Sequence, residues 1–350
     1  MRASRRVLWA CLGVLGWSSL ALAAEAEALV ERMIAAAKHL DYEGIFVYQR
    51  DGNLETVRVM HRGSREPELE RLESLSGPAR GVIRDGEKVT FRAMNDAAVQ
   101  MAGPTPRVAP NFAISGSLAE LAPSYLFELK PGLDRVAGRA AQVVHVRPRT
   151  GDRYAYRLWM DQETGLLLKS MILDAQDRPL EQEQFATVNI GVTLNDAAFS
   201  APWATEDHSD RGARAGGGVD ADSTSNGAGC KDHPCGADAG RGPGTPSADW
   251  NVGWLPGGFT RHVESPTGPS VGRGPTPHFV YSDGLATVAI FVERLQEDAV
   301  PLQGFSFVGA VSTFSRVSAG HQITVIGELP QATVRRIALS VASQSATGQQ

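Results

Sequence analysis

Apolar residues follow two different periods in the first half of the chain. Over residues 25–40 they recur at spacings of three and four, as at Leu29, Met33 and Leu40, which predicts an amphipathic helix. From Tyr42 onward the period changes to two, which is typical of β-strands. Strands are predicted over 42–50, 54–61, 81–84, 88–94, 141–147, 153–161, 166–174 and 182–190. We also predict short helical pieces at 117–121 and 125–129.

The alternating pattern returns after residue 250. Strands are predicted over 278–282, 285–293, 308–316 and 322–328, and Pro330 is expected to begin a helix. The apolar face of that helix carries Val334, Ile337, Ala338 and Val341. The chain is therefore predicted to be mainly β. We expect an N-terminal antiparallel meander that curls into a sandwich or barrel, with a helix over its open end. A smaller α+β unit is expected to follow.

The first 23 residues have the pattern of an export signal. Basic residues lie between Met1 and Arg6, an apolar stretch follows over 7–20, and Ala21, Leu22 and Ala23 form a small-x-small cleavage site. The alternative is an uncleaved membrane anchor, but the stretch is shorter than the ~20 apolar residues that span a bilayer. We therefore predict cleavage near Ala23 and export of the mature chain.

Residues 205–249 differ in composition from both flanking regions. Glycine, alanine and aspartate dominate this stretch, it has no aromatic ring, and Val219 is its only aliphatic residue larger than alanine. It contains too little apolar surface to offset the entropy of ordering. We predict a flexible linker, which divides the chain into a signal peptide (1–23), a β domain (24–204), the linker (205–249) and a small domain (250–350).

Cys230 and Cys235 are the two cysteines that remain after cleavage of the leader. In an oxidising compartment they are expected to form a small local disulfide. A metal site with His233 as third ligand is the less favoured alternative, because one cysteine pair and one histidine make a weak metal-binding pattern. We predict neither a metal nor a cofactor.

Charge and motifs narrow the classes of function. The formal net charge is −5, and loss of the leader arginines makes it more negative, which argues against delocalised binding to nucleic acid. The sequence lacks a Gly-x-x-x-x-Gly-Lys phosphate loop and a His-Glu-x-x-His zinc pair, and Ser115-Gly116-Ser117 is not a Gly-x-Ser-x-Gly elbow. Glu66, Glu68, Glu70 and Glu73 are interpreted as a solvated strand face. A binding protein is therefore favoured over an enzyme.

Several N-terminal strands carry apolar and aromatic side chains on both faces. In the first strand, Phe46 and Tyr48 alternate with Ile45 and Val47. A sheet that is covered on one side only alternates apolar with polar residues. One face is therefore expected to meet the helix or another sheet, and the other face to line a cavity. A well-filled core explains the same pattern and is favoured by the pattern alone.

Five segments of the chain carry a family resemblance. They are residues 41–48 (DYEGIFVY), 154–170 (YAYRLWMDQETGLLLKS), 253–259 (GWLPGGF), 278–286 (HFVYSDGLA) and 327–330 (GELP). On these segments the chain resembles the MucB/RseB family, whose members are periplasmic negative regulators of an envelope-stress sigma factor of the sigma-E/AlgU type. The second segment is also similar to the LolA/LolB lipoprotein carriers. The length of the linker and its cysteine pair depart from the family pattern.

The resemblance implies a fold, a partner and a mechanism. The larger domain is expected to be an unclosed antiparallel β-barrel of the LolA/LolB type, capped by a helix, with a lipid-compatible cavity. The small α+β domain is expected to help bind the periplasmic part of a membrane-spanning anti-sigma factor of the RseA/MucA type and to shield it from regulated proteolysis. Acyl chains of mislocalised lipopolysaccharide or lipoproteins are expected to release it. The implied location is the periplasm, and the family also suggests self-association.

Two other functions are kept as alternatives. A periplasmic carrier of lipoproteins or lipids, of the LolA/LolB type, would explain the strands of the first domain but has no need of the second. An envelope enzyme, for instance a hydrolase, would require a cluster of histidine, serine or carboxylate groups with perturbed pKa values in the cavity.

Candidate site residues follow from the resemblance. The acyl cavity is expected to involve Phe46, Tyr48, Val57, Val59, Phe91, Tyr156, Leu158 and Trp159. Arg335 and Arg336 on the last helix are candidates for contact with the partner, although a solvated arginine is the plainer interpretation. Trp254 and Phe259 are expected to lie in the core of the small domain.

Overall fold

The computed structural model describes the main chain of residues 10–78, 80–86, 88–92, 98–102, 116–200, 250–262, 278–296 and 300–343. Side chains are described in these ranges except at 10–22, 91–92, 98–102, 262 and 278. The predicted linker, with Cys230 and Cys235, lies outside the described residues.

A long helix is the first described element. This helix, α1, spans Ala10–His39, so it includes residues 25–39 of the predicted helix and residues 10–20 of the apolar stretch in the predicted leader. Leu29, Val30 and Met33 are buried, at the spacing that places side chains on one face of a helix. Among the described residues, no helix is both long enough and apolar enough to cross a membrane.

Eleven antiparallel strands form the larger sheet. They are β1 (Asp41–Arg50), β2 (Asn53–Arg62), β3 (Leu69–Ser74), β4 (Gly81–Asp85), β5 (Lys88–Arg92), β6 (Ala98–Ala102), β7 (Tyr125–Val136), β8 (Arg139–Pro148), β9 (Ala155–Asp161), β10 (Leu167–Leu173) and β11 (Pro179–Ile190). Their order in the sheet is β6-β5-β4-β3-β2-β1-β11-β10-β9-β8-β7. This order is linear, with β6 and β7 at the two edges, so the sheet is unclosed. Helix α1 packs against β7, and two short helices, α2 (Leu118–Leu121) and α3 (Asp196–Ser200), contact α1 and β3 respectively.

The register of the larger sheet aligns apolar side chains in rows. Phe46 of β1 lies opposite Val57 of β2 and Phe185 of β11, and Gly44 lies opposite Val59. A Cβ at Gly44 would come within 2.8 Å of the Phe185 ring, so the glycine leaves room for that ring to cross the strand. On the same face, these residues and the buried side of α1 form one hydrophobic cluster. The core of the larger sheet therefore lies between the sheet and α1.

The second part of the chain forms a smaller α+β unit. Its strands are β12 (Trp250–Val252), β13 (Thr260–His262), β14 (His278–Ser282), β15 (Thr287–Arg294), β16 (Gly304–Val308), β17 (Val311–Ser318), β18 (His321–Gly327) and β19 (Val341–Ser343). Six of them form a sheet in the order β13-β14-β15-β18-β17-β16, and β12 pairs with β19. Helix α4 (Gln331–Ser340) packs against β17 and β18. The predicted fold class, mainly β with an unclosed antiparallel sheet and a smaller α+β unit, is confirmed.

The helical prediction for residues 125–129 is wrong. These residues begin β7, in which Phe127 lies opposite Val146 of β8. Tyr125 and Phe127 are buried while Leu126 and Glu128 are exposed, which is the alternation of a strand. Pairing with β8 along most of its length outweighs the local helical preference of such a short segment.

The prediction of one strand over 308–316 places the strand boundary wrongly. The chain forms two strands here, β16 and β17, with Val308 opposite Val311 across a two-residue turn. Gly309 in that turn has a φ of +59°, a left-handed conformation that suits glycine. The sequence pattern does not predict β16. This strand is five residues long and pairs with β17 alone. It therefore depends on the hairpin and lacks the alternation of buried and exposed residues that identifies a strand.

Candidate functional site

The predicted acyl-binding residues belong to the hydrophobic core of the larger sheet. Those that are buried in its cluster are Phe46, Val57, Val59, Tyr156, Leu158 and Trp159. Tyr48 is half-buried and packs against the same cluster. Phe91 lies in β5, and its side chain is outside the described residues. The structure thus brings most of the candidates together, and their contact with an acyl chain stays a prediction.

Trp159 faces the opposite side of the sheet from Tyr156 and Leu158. Neighbouring residues of a strand point to opposite faces, and β9 is continuous across these positions. The indole Nε1 of Trp159 donates a hydrogen bond to Asp134 at 2.8 Å, and Lys169 Nζ lies 4.8 Å from the ring centroid. The structure therefore does not place Trp159 on one face with the other candidates.

Two buried carboxylates lie on the same face of the sheet as Phe46. Tyr48 Oη donates a hydrogen bond to Glu181 Oε2 at 2.5 Å, and Ser170 Oγ donates to Glu183 Oε1 at 2.9 Å. Burial, assisted by the charge of Glu181, raises the pKa of Tyr48 far above its usual value, so the phenol remains a donor. Sequence reasoning missed both glutamates, because the alternation over 179–185 looks like an ordinary solvated polar face.

The loop after β14 joins the smaller sheet to the larger one through Asp283. This residue is 3% exposed. Its Oδ2 accepts hydrogen bonds from Tyr125 Oη at 3.0 Å and from Arg153 Nε at 2.6 Å. Its Oδ1 accepts from the backbone N–H groups of Leu285 and Ala286 at 3.0 and 2.8 Å. The buried carboxylate thus has donors from the larger unit, Tyr125 and Arg153, and from the loop after β14 in the smaller unit.

Arg153 is the buried cation that matches Asp283. Its guanidinium also donates to the Asp152 carboxylate at 2.8 Å and to the Gly257 carbonyl, and it lies 5.1 Å from the centroid of the Phe259 ring. Burial lowers the pKa of Arg153, but the hydrogen bond and charge of Asp283 outweigh this effect and leave the pKa above its ordinary value. The first contact between the sheets is therefore a satisfied buried ion pair. We call it the Asp283 contact.

The turn between β16 and β17 makes a second contact with the larger sheet, which we call the Ala310 contact. Ala310 is fully buried, and its N–H donates to Glu181 Oε1 at 2.9 Å. A Cβ at Gly309 would collide with the side chains of Glu181 and Arg50, so the turn approaches the larger sheet through a glycine. Ala310 and Leu285 both pack into the hydrophobic cluster of the larger sheet. Repacking of that cluster would therefore affect both contacts.

A cleft of about 400 Å³ lies beside the Ala310 contact. The turn after β1, the start of β11, the β16–β17 hairpin and the first residue of α4 line it. Tyr154 and Phe307 contribute aromatic rings, and Asp51 and Glu181 are the charged residues of the lining. The cleft is large enough for a small ligand or a few side chains. The Arg50 side chain, which packs against Gly309 of the lining, lies close to its acidic residues.

The two arginines proposed for partner contact are exposed on α4. The guanidinium carbon of Arg336 lies 3.8 Å from the centroid of the Trp254 ring, and Arg335 precedes it on the helix. Trp254 and Phe259 pack against the hydrophobic cluster of the smaller sheet, as expected for core residues. The role of the arginines in partner binding stays a prediction.

The acidic residues of 66–73 do not form one solvated face. Glu73 is 7% exposed and pairs with Arg71 and with Arg58. Its arginine partners lie in the same strand and in the neighbouring one, and sequence spacing alone could not reveal that burial. Within the part of the chain that the structure describes, no group of three or more histidine, cysteine, aspartate or glutamate residues could hold a metal ion.

His61 is a buried titratable group at one end of the larger sheet. Its Nδ1 lies 2.8 Å from the Leu40 carbonyl oxygen, and its Nε2 lies 3.1 Å from a Glu68 carboxylate oxygen. The ring stacks on Tyr42 with 4.9 Å between centroids. Burial lowers the pKa of His61, but the hydrogen bonds with Glu68 and Leu40 outweigh it and leave the pKa above its usual value.

Both parts of the chain match models of one protein family. Residues 25–203 match the MucB/RseB N-terminal domain, and residues 244–342 match the MucB/RseB C-terminal domain. The chain belongs to the MucB/RseB family. Asp283 and Ala310 lie within the second match and their partners Arg153 and Glu181 within the first, so both contacts between the sheets join the two family domains.

Relatives in the MucB/RseB family match over most of the chain. The sigma factor AlgU regulatory protein MucB of Pseudomonas aeruginosa is 30% identical, over 93% of this chain and 93% of the relative. The sigma-E factor regulatory protein RseB of Escherichia coli is 26% identical, over 90% of this chain and 89% of the relative. Both names describe regulators of sigma factors rather than enzymes.

Solved MucB structures share the fold of this chain. A chain of the Pseudomonas aeruginosa MucA/MucB complex is similar at a TM-score of 0.65 and 28% identity, over 91% of this chain and 99% of that chain. A crystal structure of MucB is similar at a TM-score of 0.58, over 91% of this chain and 98% of that chain. The resemblance carried by five short segments therefore extends over both sheets.

Proposed function

We propose that this chain is a periplasmic regulator that binds the periplasmic part of a membrane-spanning anti-sigma factor of the MucA/RseA type. The observation that carries the proposal is the match of both sheets to a chain of the MucA/MucB complex, over 91% of this chain. While bound, the protein shields the anti-sigma factor from regulated proteolysis. Acyl chains of mislocalised lipopolysaccharide or lipoproteins release it. Cleavage of the leader near Ala23 delivers the protein to the periplasm.

The apolar face of the larger sheet supports the acyl-chain part of the proposal. Phe46, Val59, Tyr156 and Leu158 share one face of an unclosed sheet. Each buried methylene contributes ~0.8 kcal/mol, so about twelve methylenes supply ~10 kcal/mol before ordering costs are subtracted. Only the difference between the acyl affinities of the free and the partner-bound protein can drive release. A gross energy of this size leaves room for a difference of several kcal/mol.

Leu285 and Ala310 couple the packing of the larger sheet to the position of loops in the smaller unit. Both residues follow strands of the smaller sheet, yet both pack into the cluster of the larger sheet. An acyl chain that displaces part of this cluster would move the loops that hold the Asp283 and Ala310 contacts. A carrier of the LolA/LolB type would have no need of a second sheet joined by a buried ion pair, so these contacts favour the regulator.

A binding assay with the full exported chain tests this proposal. The probe is the fluorescently labelled periplasmic part of the MucA-type anti-sigma factor from the same organism, followed by fluorescence anisotropy. We expect saturating lipopolysaccharide to raise the apparent Kd at least tenfold. Lipopolysaccharide from which the acyl chains have been removed should leave the Kd unchanged. Absence of any complex would refute the regulator, and a complex that persists in saturating lipopolysaccharide would refute release by acyl chains.

Val59→Thr separates acyl sensing from partner binding. The substitution replaces one buried methyl group by a hydroxyl of similar size, which costs ~1–3 kcal/mol where the hydroxyl has no partner. We expect release to require more lipopolysaccharide, with the Kd for the anti-sigma probe unchanged. Leu54→Thr is the matched control, because Leu54 lies on the same strand and is exposed. Equal release curves for the two variants would contradict the assignment of Val59 to the acyl site.

A further inference from the structure

Five exposed apolar residues lie in β16 and in the segment that leads into it. Their exposed fractions range from 46% to 90%, and they are Val300, Leu302, Phe305, Phe307 and Val308. We call these residues the β16 patch. Strand β16 is the last strand in the order of its sheet, and among the described residues no strand pairs with its outer edge. It carries no charged residue, although charged side chains commonly protect an edge strand from pairing.

The register shows which backbone groups of β16 point outward. Val308 and Val311 flank the two-residue turn, and residues in this position exchange both backbone hydrogen bonds in such hairpins. Because the bonding direction alternates along a strand, the N–H and C=O groups of Phe305 and Phe307 point away from β17. An added strand would bind to these groups.

The Phe305 and Phe307 side chains extend the apolar face of the sheet beyond its helical cover. Phe305 contacts Phe314 of β17 with 4.7 Å between ring centroids, and Phe314 lies opposite Val325 of β18. Val325 is fully buried in the cluster of the smaller sheet, and α4 packs against β17 and β18. The apolar surface thus continues onto β16, where all five residues are exposed.

The cleft beside the Ala310 contact continues the β16 patch, because Phe307 belongs to both. The charged residues of its lining are Asp51 and Glu181, both acidic. Glu181 already accepts hydrogen bonds from Tyr48 and Ala310, whereas Asp51 is exposed in the turn after β1. The exposed Asp51 carboxylate is therefore the group with which a basic residue of an occupant would pair at this end of the patch.

We propose that β16 is the docking edge for an extended segment of the anti-sigma partner, which pairs with it as a further strand of the smaller sheet. Alternate apolar side chains of that segment cover Phe305 and Phe307, which share one face of β16, and a lysine or arginine enters the cleft toward Asp51. The identity of the partner rests on the proposed function. The expected chemistry of the segment follows from β16 and the cleft. The segment is extended, carries apolar side chains at alternate positions and has a basic residue at one end.

Substitutions along β16 test this docking mode with the full exported chain and the labelled periplasmic part of the anti-sigma factor. Phe305→Pro and Phe307→Pro remove the outward N–H donors without removing a bond to β17, and proline is tolerated on edge strands. We expect each to raise the Kd at least tenfold, and Phe305→Ala and Phe307→Ala to raise it less. Leu133→Ala, at an exposed apolar position in β7, is the matched control and should leave the Kd unchanged. Asp51→Asn should raise the Kd two- to fivefold at low salt.

Hydrogen exchange on the unmodified chain gives a second readout that does not depend on the folding of a variant. Binding of the probe should slow exchange of the Phe305 and Phe307 amides. Failure of the unmodified chain to bind the probe would refute the proposed function and this inference together. Binding that leaves these amides unprotected, or that all β16 variants retain, would refute the docking mode alone. Loss of a dimer in Phe307→Pro without loss of probe binding would show that a second copy occupies the edge, and would also overturn it.

Discussion

The Asp283 and Ala310 contacts join the same two sheets by different means. At the Asp283 contact, a carboxylate and a guanidinium are both at least 95% buried and bind each other at 2.6 Å. At the Ala310 contact, the buried Glu181 carboxylate accepts hydrogen bonds from a phenol and a backbone N–H, both neutral, beside an open cleft. The first contact is a buried ion pair, whereas the hydrogen-bond donors of the second are neutral and an open cleft lies beside it.

We therefore expect the two contacts to have different roles. A buried ion pair is costly to break, since removal of one partner leaves the other charge uncompensated. The Asp283 contact should therefore keep the two sheets together. A contact that rests on neutral donors and a glycine turn can shift at lower cost. The Ala310 contact, which adjoins both the cleft and β16, is the one that we expect to respond to a ligand or partner.

Asp283→Asn should have the largest effect. The amide removes the buried counterion of Arg153 and leaves only the partly exposed Asp152 carboxylate beside its charge. Loss of one partner of a buried ion pair costs ~3–5 kcal/mol. We expect a loss of this size in the free energy of unfolding, measured with urea. Asp152→Asn is the matched control, because Asp152 also binds Arg153 but its side chain is 24% exposed, so a loss below ~1 kcal/mol is expected. Equal losses in the two variants would contradict the expectation that the buried Asp283 carboxylate contributes more to stability than the partly exposed Asp152 carboxylate.

Gly309→Ala should have an intermediate effect. Alanine at a left-handed φ costs ~1–2 kcal/mol, and here its Cβ would also collide with Glu181 and Arg50. Gly320→Ala, in the next turn of the same sheet, is the control, since Gly320 has a φ of +71° and no atom within 4 Å of the added Cβ. We expect Gly309→Ala to lose more stability in urea and to unprotect the Ala310 amide in hydrogen exchange. If both variants keep that amide protected, the Ala310 contact does not depend on the glycine.

A change of pH should have the smallest effect, and it should act on His61 rather than on the contacts between the sheets. The pKa of His61 in the folded chain is above 6.5. Its stabilising effect is therefore fully present below pH 6.5 and is lost as the pH rises through the folded pKa. The slope is at most ~1.4 kcal/mol per pH unit, because one proton is involved.

Urea unfolding between pH 5.5 and 8.5 measures this effect. His61→Gln should remove the decline toward high pH. His145→Gln should retain it, because burial and the nearby Arg157 and Arg147 lower the pKa of His145, which gives its contribution the opposite sign. A decline that survives in His61→Gln would assign the pH dependence to another group.

Most of the strands could be predicted from the sequence, but several site residues could not. Period-two alternation at Phe46 and Tyr156 reflects local backbone geometry, so β1 and β9 were located within two residues. Tyr125 was misassigned because its strand depends on pairing with β8. Glu181 and Asp283 have the local pattern of ordinary polar residues, and their burial becomes visible only when the two sheets are brought together. Strand β16 was missed because it depends on a hairpin and has no buried face.

The amino-acid sequence by itself determined the order of most elements, the mainly β class and the family, because short-range periodicity and short sequence segments carry that information. The tertiary structure decided which side chains meet across the two sheets. Arg153 and Asp283 are separated by 130 positions, and Glu181 and Ala310 by 129. Contacts at such separations depend on how the sheets pack and on which charges that packing removes from water, and no local pattern in the chain specifies either.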